Sequence, residues 1–105
     1  MQNHVKKAKK IIAENLYCVI ASADLDGRPW VSPVFFNFDK DYNIYWESFK
    51  DSTHSKLIRK NPRVAIVIFD SRVPEGTGDG IYLHGVAKEL KGVELKHGIK
   101  SFFGG

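Results

Sequence analysis

The stretch richest in possible chemistry is Ser48-Phe49-Lys50-Asp51-Ser52-Thr53-His54-Ser55-Lys56, which packs four hydroxyls and two lysines into nine residues. It joins a strand-like segment to one with helical character, so it should form the start of a helix. The first main-chain N–H groups of a helix lack partners within it, and the helix dipole favours negative charge there. Hydroxyls and an ammonium in the first turn provide the hydrogen bonds and charge that a phosphate dianion requires. The same residues allow a plainer reading, in which Ser52 caps the helix and Lys56 points into water.

A second feature is Pro29-Trp30-Val31-Ser32-Pro33-Val34. Two prolines in a strand cannot donate to a ladder, so the strand must be at an edge, bulged or locally irregular at those points. Main-chain groups left free in this way could bond the edge of a flat heterocycle, with Trp30 or Trp46 covering nearby apolar surface. An ordinary edge strand beside an aromatic core would read the same way.

Other chemistry is sparse. His4, His54, His84 and His97 are scattered, and none pairs with another at metal-ligand spacing, so no metal site is expected. No catalytic residue stands out; His84 is a weak proton-donor candidate that reads as a strand residue facing solvent. Cys18 lies in an apolar strand and reads as a small core residue. Gly76, Gly78 and Gly80 alternate but precede a strand, the reverse of the order in a dinucleotide fingerprint.

These segments need a scaffold, and the pattern supplies one. Val5, Ala8, Ile11 and Ile12 recur at helical spacing, which predicts an amphipathic helix over 5–15 with its lysines on the solvated side. Strands are expected over 16–23, 29–38, 42–48, 63–70 and 81–90, with a helix over 51–60 that Asn61-Pro62 stops. The strand over 63–70 is β-branched and reads as buried on both faces. Residues 91–105 read as weakly helical at best. Sequential strands joined by short turns pair antiparallel, and five or six of them with few helices suggest a small barrel.

The length fits one domain over 1–105 and is too short for two. At 43% hydrophobic and 27% charged, the composition is that of a globular chain, and its apolar runs are strand-length, which argues against a membrane span. One cysteine and a basic start without a long apolar segment point to a cytoplasmic protein. The net charge of +4 favours an anionic partner. The basic residues cluster at 6–10 and 56–63, which suits a phosphate pocket plus a solvated helix as well as it suits a nucleic-acid stripe.

Taken together, Trp30-Val31-Ser32-Pro33-Val34, Ile44-Tyr45-Trp46-Glu47-Ser48, Ser55-Lys56-Leu57 with Asn61-Pro62-Arg63-Val64-Ala65, and Gly80-Ile81-Tyr82-Leu83-His84-Gly85-Val86-Ala87 resemble the pyridoxamine 5'-phosphate oxidase-like family. The resemblance covers about residues 5–90. It implies a mainly β fold, a six-stranded antiparallel split β-barrel of the FMN-binding type. It also implies a homodimer with FMN in clefts between subunits. Carried over by position, Val31 and Ser32 would contact the isoalloxazine ring, largely through main-chain atoms. Ser48 and Lys56 would hold the phosphate with Ser55 beside them, and Trp46 occupies the position that faces the flavin.

The expected function is that of an FMN-binding oxidoreductase acting on an unknown small molecule, with a small-molecule electron donor and acceptor. Two departures argue against vitamin B6 oxidation. Pro29 and Val34 stand where the oxidase has FMN-contacting arginine and lysine, and the oxidase's arginine- and histidine-bearing C-terminal segment has no counterpart up to Gly105. The alternatives are an F420- or haem-binding barrel of the same family, or a basic nucleic-acid-binding barrel. The last is disfavoured because Asp39, Asp41 and Glu47 interrupt the basic surface.

Overall fold

A computed structural model describes residues 2–76 and 78–104; Met1, Gly105 and Thr77 of the glycine-rich loop lie outside the described residues. The chain runs α1 (Gln2–Glu14), β1 (Tyr17–Ala23), β2 (Pro29–Phe38), β3 (Ile44–Trp46), α2 (Thr53–Lys60), β4 (Arg63–Phe69), β5 (Gly80–Val86) and α3 (Gly92–Gly104). The strands form one antiparallel sheet in the order β3-β2-β1-β4-β5. The architecture is therefore mainly β with flanking helices.

The described residues hold five strands, not the six expected. The chain after β5, where a further strand would have to come, folds as α3. That segment was expected to be weakly helical at best, because Gly92, Gly98 and Gly104 depress intrinsic helix propensity. Tertiary contacts override the propensity. Asn37 Nδ2 donates to the carbonyl of Phe102 at 2.8 Å, and the Phe102 ring packs edge-on against Phe35. Tyr45 meets His97, and Gly98 is buried where the helix passes Tyr45 and Leu90. A Cβ at residue 98 would meet the end of the Leu90 side chain, which would have to shift to admit it.

Strand side chains alternate between faces. On the inner face Cys18 and Ile20 of β1, Val34 and Phe36 of β2, and Ile66 and Ile68 of β4 form one buried cluster with Ile12 of α1. The second helix, α2, buries Ile58 and lies against β1 and β2. Expected burial of both faces of β4 is not found: Ile66 and Ile68 are buried while Ala65 and Phe69 are exposed. Its outer face has no layer packed over it within one chain.

Short polar turns fix the two hairpins. Asp24 accepts from the main-chain N–H of Asp26 and Arg28, both at 2.9 Å, and Gly27 takes a φ of 86° that suits a residue without Cβ. At the β2–β3 turn Asp39 Oδ1 accepts from the main chain of Asp41 and Asn43, and Tyr42 sits at φ 61°. That left-handed residue belongs to the turn, which is why β3 begins later than the sequence suggests.

Candidate functional site

The start of α2 carries a connected set of polar groups. Ser52 is the N-cap, with extended backbone, and its Oγ accepts from the N–H of Ser55 at 3.3 Å and donates to Ser55 Oγ at 2.7 Å. Ser48, at the end of the strand segment, reaches His54: its Oγ lies 2.6 Å from Nε2, with Ser52 Oγ 3.3 Å from the same nitrogen. Arg59 donates to the carbonyl of Lys50 at 2.5 Å and ties the loop back to the helix. Lys56 follows one residue after Ser55; its side chain is exposed and forms no ion pair among the described residues. Burial holds the His54 imidazole below its ordinary range, which favours the neutral ring at neutral pH.

Three hydroxyls and an imidazole thus converge where a helix presents N–H groups without helical partners, and the exposed Lys56 follows on the same helix. This donor set is suited to an anionic oxygen cluster such as a phosphate ester. The sequence singled out Ser48, Ser55 and Lys56. His54 was set aside with the scattered histidines, although it stands inside the same nine residues. The fold-back of the 48–52 loop onto the helix is what brings it to Ser48, and no spacing rule announces that contact.

The β2 segment places its residues differently. Phe36 donates its N–H to the carbonyl of Leu16, so alternate β2 residues Val34, Ser32 and Trp30 also turn their main-chain groups toward β1. Pro29, Val31, Pro33 and Phe35 turn theirs the other way. Because β3 pairs only with Phe36 to Phe38, the side from Pro29 to Pro33 is an open edge. Both prolines lie in regular register and forfeit no ladder bond, which is the edge arrangement the sequence allowed. Val31 sits on this edge, 63% exposed, and its main-chain N–H and C=O have no hydrogen-bond partner among the described residues.

Ser32 faces inward. It is paired with Ile20, and its Oγ accepts from the Trp30 indole N–H at 2.9 Å. Nearby Ser22 is buried with its hydroxyl unpartnered among the described residues. Trp46 pairs with Phe36 and leans half-buried on the inner core. The hydroxyl cluster and the Val31 edge are therefore separate features, held together by α2 packing against β1 and β2.

The outer face carries an apolar hollow of about 330 Å³ between β2, β1, β4 and β5, bordered by Val31, Ala65, Tyr82 and His84. His84 is exposed there, as expected of an outward strand residue. Cys18 is fully buried, and burial pushes its thiol up to about 11, consistent with a core role. No group of three or more potential metal ligands gathers among the described residues, and no helix is long and apolar enough to cross a membrane.

Comparison with solved structures gives the fold. A heme binding protein from Mycobacterium smegmatis superimposes with a TM-score of 0.79 at 21% identity, over 92% of this chain and 40% of that one. HutZ, the heme storage protein from Vibrio cholerae, gives 0.73 at 19% identity, over 84% of this chain and 63% of that one. A pyridoxamine 5'-phosphate oxidase-related, FMN binding protein from Nostoc punctiforme gives 0.60 at 18% identity, over 80% and 44%. The chain therefore spans between two fifths and just under two thirds of the length of these proteins. No curated protein matches the sequence. The family model for pyridoxamine 5'-phosphate oxidase matches residues 5–103, nearly the whole chain, and so the chain belongs to the pyridoxamine 5'-phosphate oxidase family.

Proposed function

We propose that this protein binds FMN at an interface between two copies of the chain and serves as an oxidoreductase for a small molecule. The observation that carries the reading is the polar cluster at the start of α2. In a chain of this family, Ser48, Ser55 and an ammonium without a carboxylate partner offer a phosphate ester what it requires. Lys56 would neutralise the phosphate, and Ser48 and Ser55 would donate to its oxygens. The free N–H and C=O of Val31 would meet the polar edge of the ring system. Ser32 would act on the ring through the position it gives Val31, since its own polar groups are engaged within the sheet. Trp46 would lie behind this edge on the core side. When bound, FMN supplies the electron chemistry, and the protein supplies binding and orientation.

The second copy belongs to this reading because the outer sheet face is apolar and open. Tyr82, Val86, Val31 and Tyr17 are all well exposed. Contiguous apolar surface of this kind marks a contact site.

The test is an absorption spectrum of the purified protein after FMN is added and the excess removed by gel filtration. Flavin bands co-eluting at the size of a dimer support the reading; a colourless protein that retains no FMN overturns it. One observation favours a second reading, a haem-binding protein. The apolar hollow beside Val31 has an imidazole, His84, on its rim, and the haem-binding protein above shares the fold. In that case the outer face takes a ligand where the first reading puts a subunit, and a Soret band lost in His84→Ala identifies it.

A further inference from the structure

We propose that the outward face of α3 is a docking surface for an anionic lipid membrane, on which the helix lies in the plane of the headgroups. Leu95, Ile99 and Phe103 enter the acyl boundary, while Lys96 and Lys100 meet lipid phosphates. The inference goes beyond the flavin reading and does not depend on it.

The helix has two apolar sides, and the protein covers one of them. Residues four apart lie one above the other on a helix. Gly98 and Phe102 form the row turned to the protein: Gly98 is buried where the helix passes Tyr45, and the Phe102 ring packs on Phe35. Leu95, Ile99 and Phe103 form the next row, one step round, and are 43%, 50% and 73% exposed. Lys96 and Lys100 follow one step further, both exposed. Phe103 also meets Phe102 edge-on, with ring centroids 4.9 Å apart, so the exposed row is anchored to the contact that docks the helix.

Charge decides what this face fits. Neither Lys96 nor Lys100 forms an ion pair among the described residues, and Glu94, the acidic residue of the helix, is engaged by Lys88 Nζ at 2.6 Å. An apolar row beside a row of unopposed cations is poorly suited to a protein partner, whose contact would desolvate both ammonium groups; lysine is depleted from such interfaces. A nucleic acid would satisfy the lysines and leave Leu95 and Ile99 in water. An anionic membrane surface satisfies both rows, because lysine stems run along apolar surface while their charged heads stay among phosphates. At 13 residues α3 is about 20 Å long, against a hydrocarbon core of about 30 Å, so it lies on a membrane and does not cross it. Exposed lysines also stud α1, but its Ile11 and Ile12 are packed into the core, which makes that helix the internal control.

Sedimentation of the full chain with sucrose-loaded vesicles tests the proposal. The vesicles are phosphatidylcholine alone or phosphatidylcholine with about 30% phosphatidylserine, in about 0.1 M salt. The expected result is sedimentation with the serine-containing vesicles and not with phosphatidylcholine alone. Lys96→Gln combined with Lys100→Gln should weaken this binding roughly tenfold or more. Ile99→Ser should weaken it severalfold, and Lys6→Gln combined with Lys10→Gln should leave most of it. All these positions are exposed, and unchanged urea midpoints verify that the variants fold. In Phe103→Trp the added emission, read as the difference from wild type, should shift to the blue on the anionic vesicles. Absence of binding, equal binding to both vesicles, full binding by the Lys96/Lys100 variant or by Ile99→Ser, or an unshifted tryptophan overturns the proposal. If vesicles are ignored and the Lys96/Lys100 variant loses retention of single-stranded DNA, the face is a nucleic-acid surface and the proposal falls. If Ile99→Ser changes the sedimentation coefficient without vesicles, the row is a subunit contact and the proposal falls as well. Retention of FMN is read separately and is unaffected by either result.

Discussion

The two faces of the sheet come from the same strands, yet they differ in what they still require. On the inner face Ile20 and Ile68 are fully buried and α1 and α2 complete the layer. On the outer face the alternate residues are again largely apolar, but Tyr82 is 82% exposed and Val86 75% exposed. Among the described residues only the β2–β3 end of that face is covered, where α3 sets Phe102 on Phe35. A chain holds exposed apolar surface on this scale at a cost in solubility unless something covers it. One face therefore answers to folding and the other, in the proposed dimer, to association, and substitutions on the two should separate these properties.

The sharpest test of the separation is on the inner side. Ile20→Ala removes a fully buried side chain, and such truncations cost roughly 2–5 kcal/mol. Urea denaturation should show a loss of this size. A loss under about 1 kcal/mol would mean that the inner face is not the folding core. On the outer side, Tyr82→Asp should leave the fold intact and break association instead. Burying an uncompensated carboxylate costs several kcal/mol, so the dissociation constant of the proposed dimer should rise roughly a hundredfold or more. Sedimentation velocity measures it. Unchanged association in Tyr82→Asp would remove this face from the subunit contact.

The inner face was legible in the sequence because alternation reports burial directly. Every strand was located, and β2 was bounded to the residue. What the sequence withheld depended on contacts between distant segments. The helix over 92–104 was hidden by its three glycines and is held by Asn37, Phe35 and Tyr45, all from β2 and β3. Burial of both faces of β4 was inferred from its run of β-branched residues, but composition cannot tell a face covered within the chain from one left for a partner. At the site, spacing left Asp51 or Ser52 as the cap and the structure has Ser52, whereas the Ser48–His54 contact arises only when the loop folds back. The likeness of Ser55-Lys56 and Asn61-Pro62-Arg63-Val64 to the family pointed to the start of α2 as a candidate site, but strand pairing governs how Ser32 and Trp46 are presented.

The proposed phosphate site offers a third property, separable from both faces. Lys56→Ala removes an exposed ammonium that forms no ion pair among the described residues, so stability should hardly change. Charge-assisted hydrogen bonds contribute about 1.5–3 kcal/mol each, so FMN affinity should fall roughly ten- to a hundredfold by flavin fluorescence titration. Unaltered affinity would take Lys56 out of the phosphate site while leaving the comparison of the faces untouched.

The smallest expected effect returns to the inner core and tests its dryness through one proton. Burial pushes the Cys18 thiol from its ordinary 9.0 up to about 11. The folded state therefore keeps the proton at pH values where the unfolded chain has released it. Protons bound in the native state exceed those bound in the unfolded state between about pH 9 and 11, so stability from this group is complete below pH 9 and declines through that interval. Lysines and tyrosines titrate there too, so the readout is a difference: the slope of urea midpoint against pH in the wild type minus that in Cys18→Ala. A steeper decline in the wild type is the expected sign. Equal slopes would mean that water reaches Cys18, and that the inner face is less completely sealed than the contrast with the outer face requires.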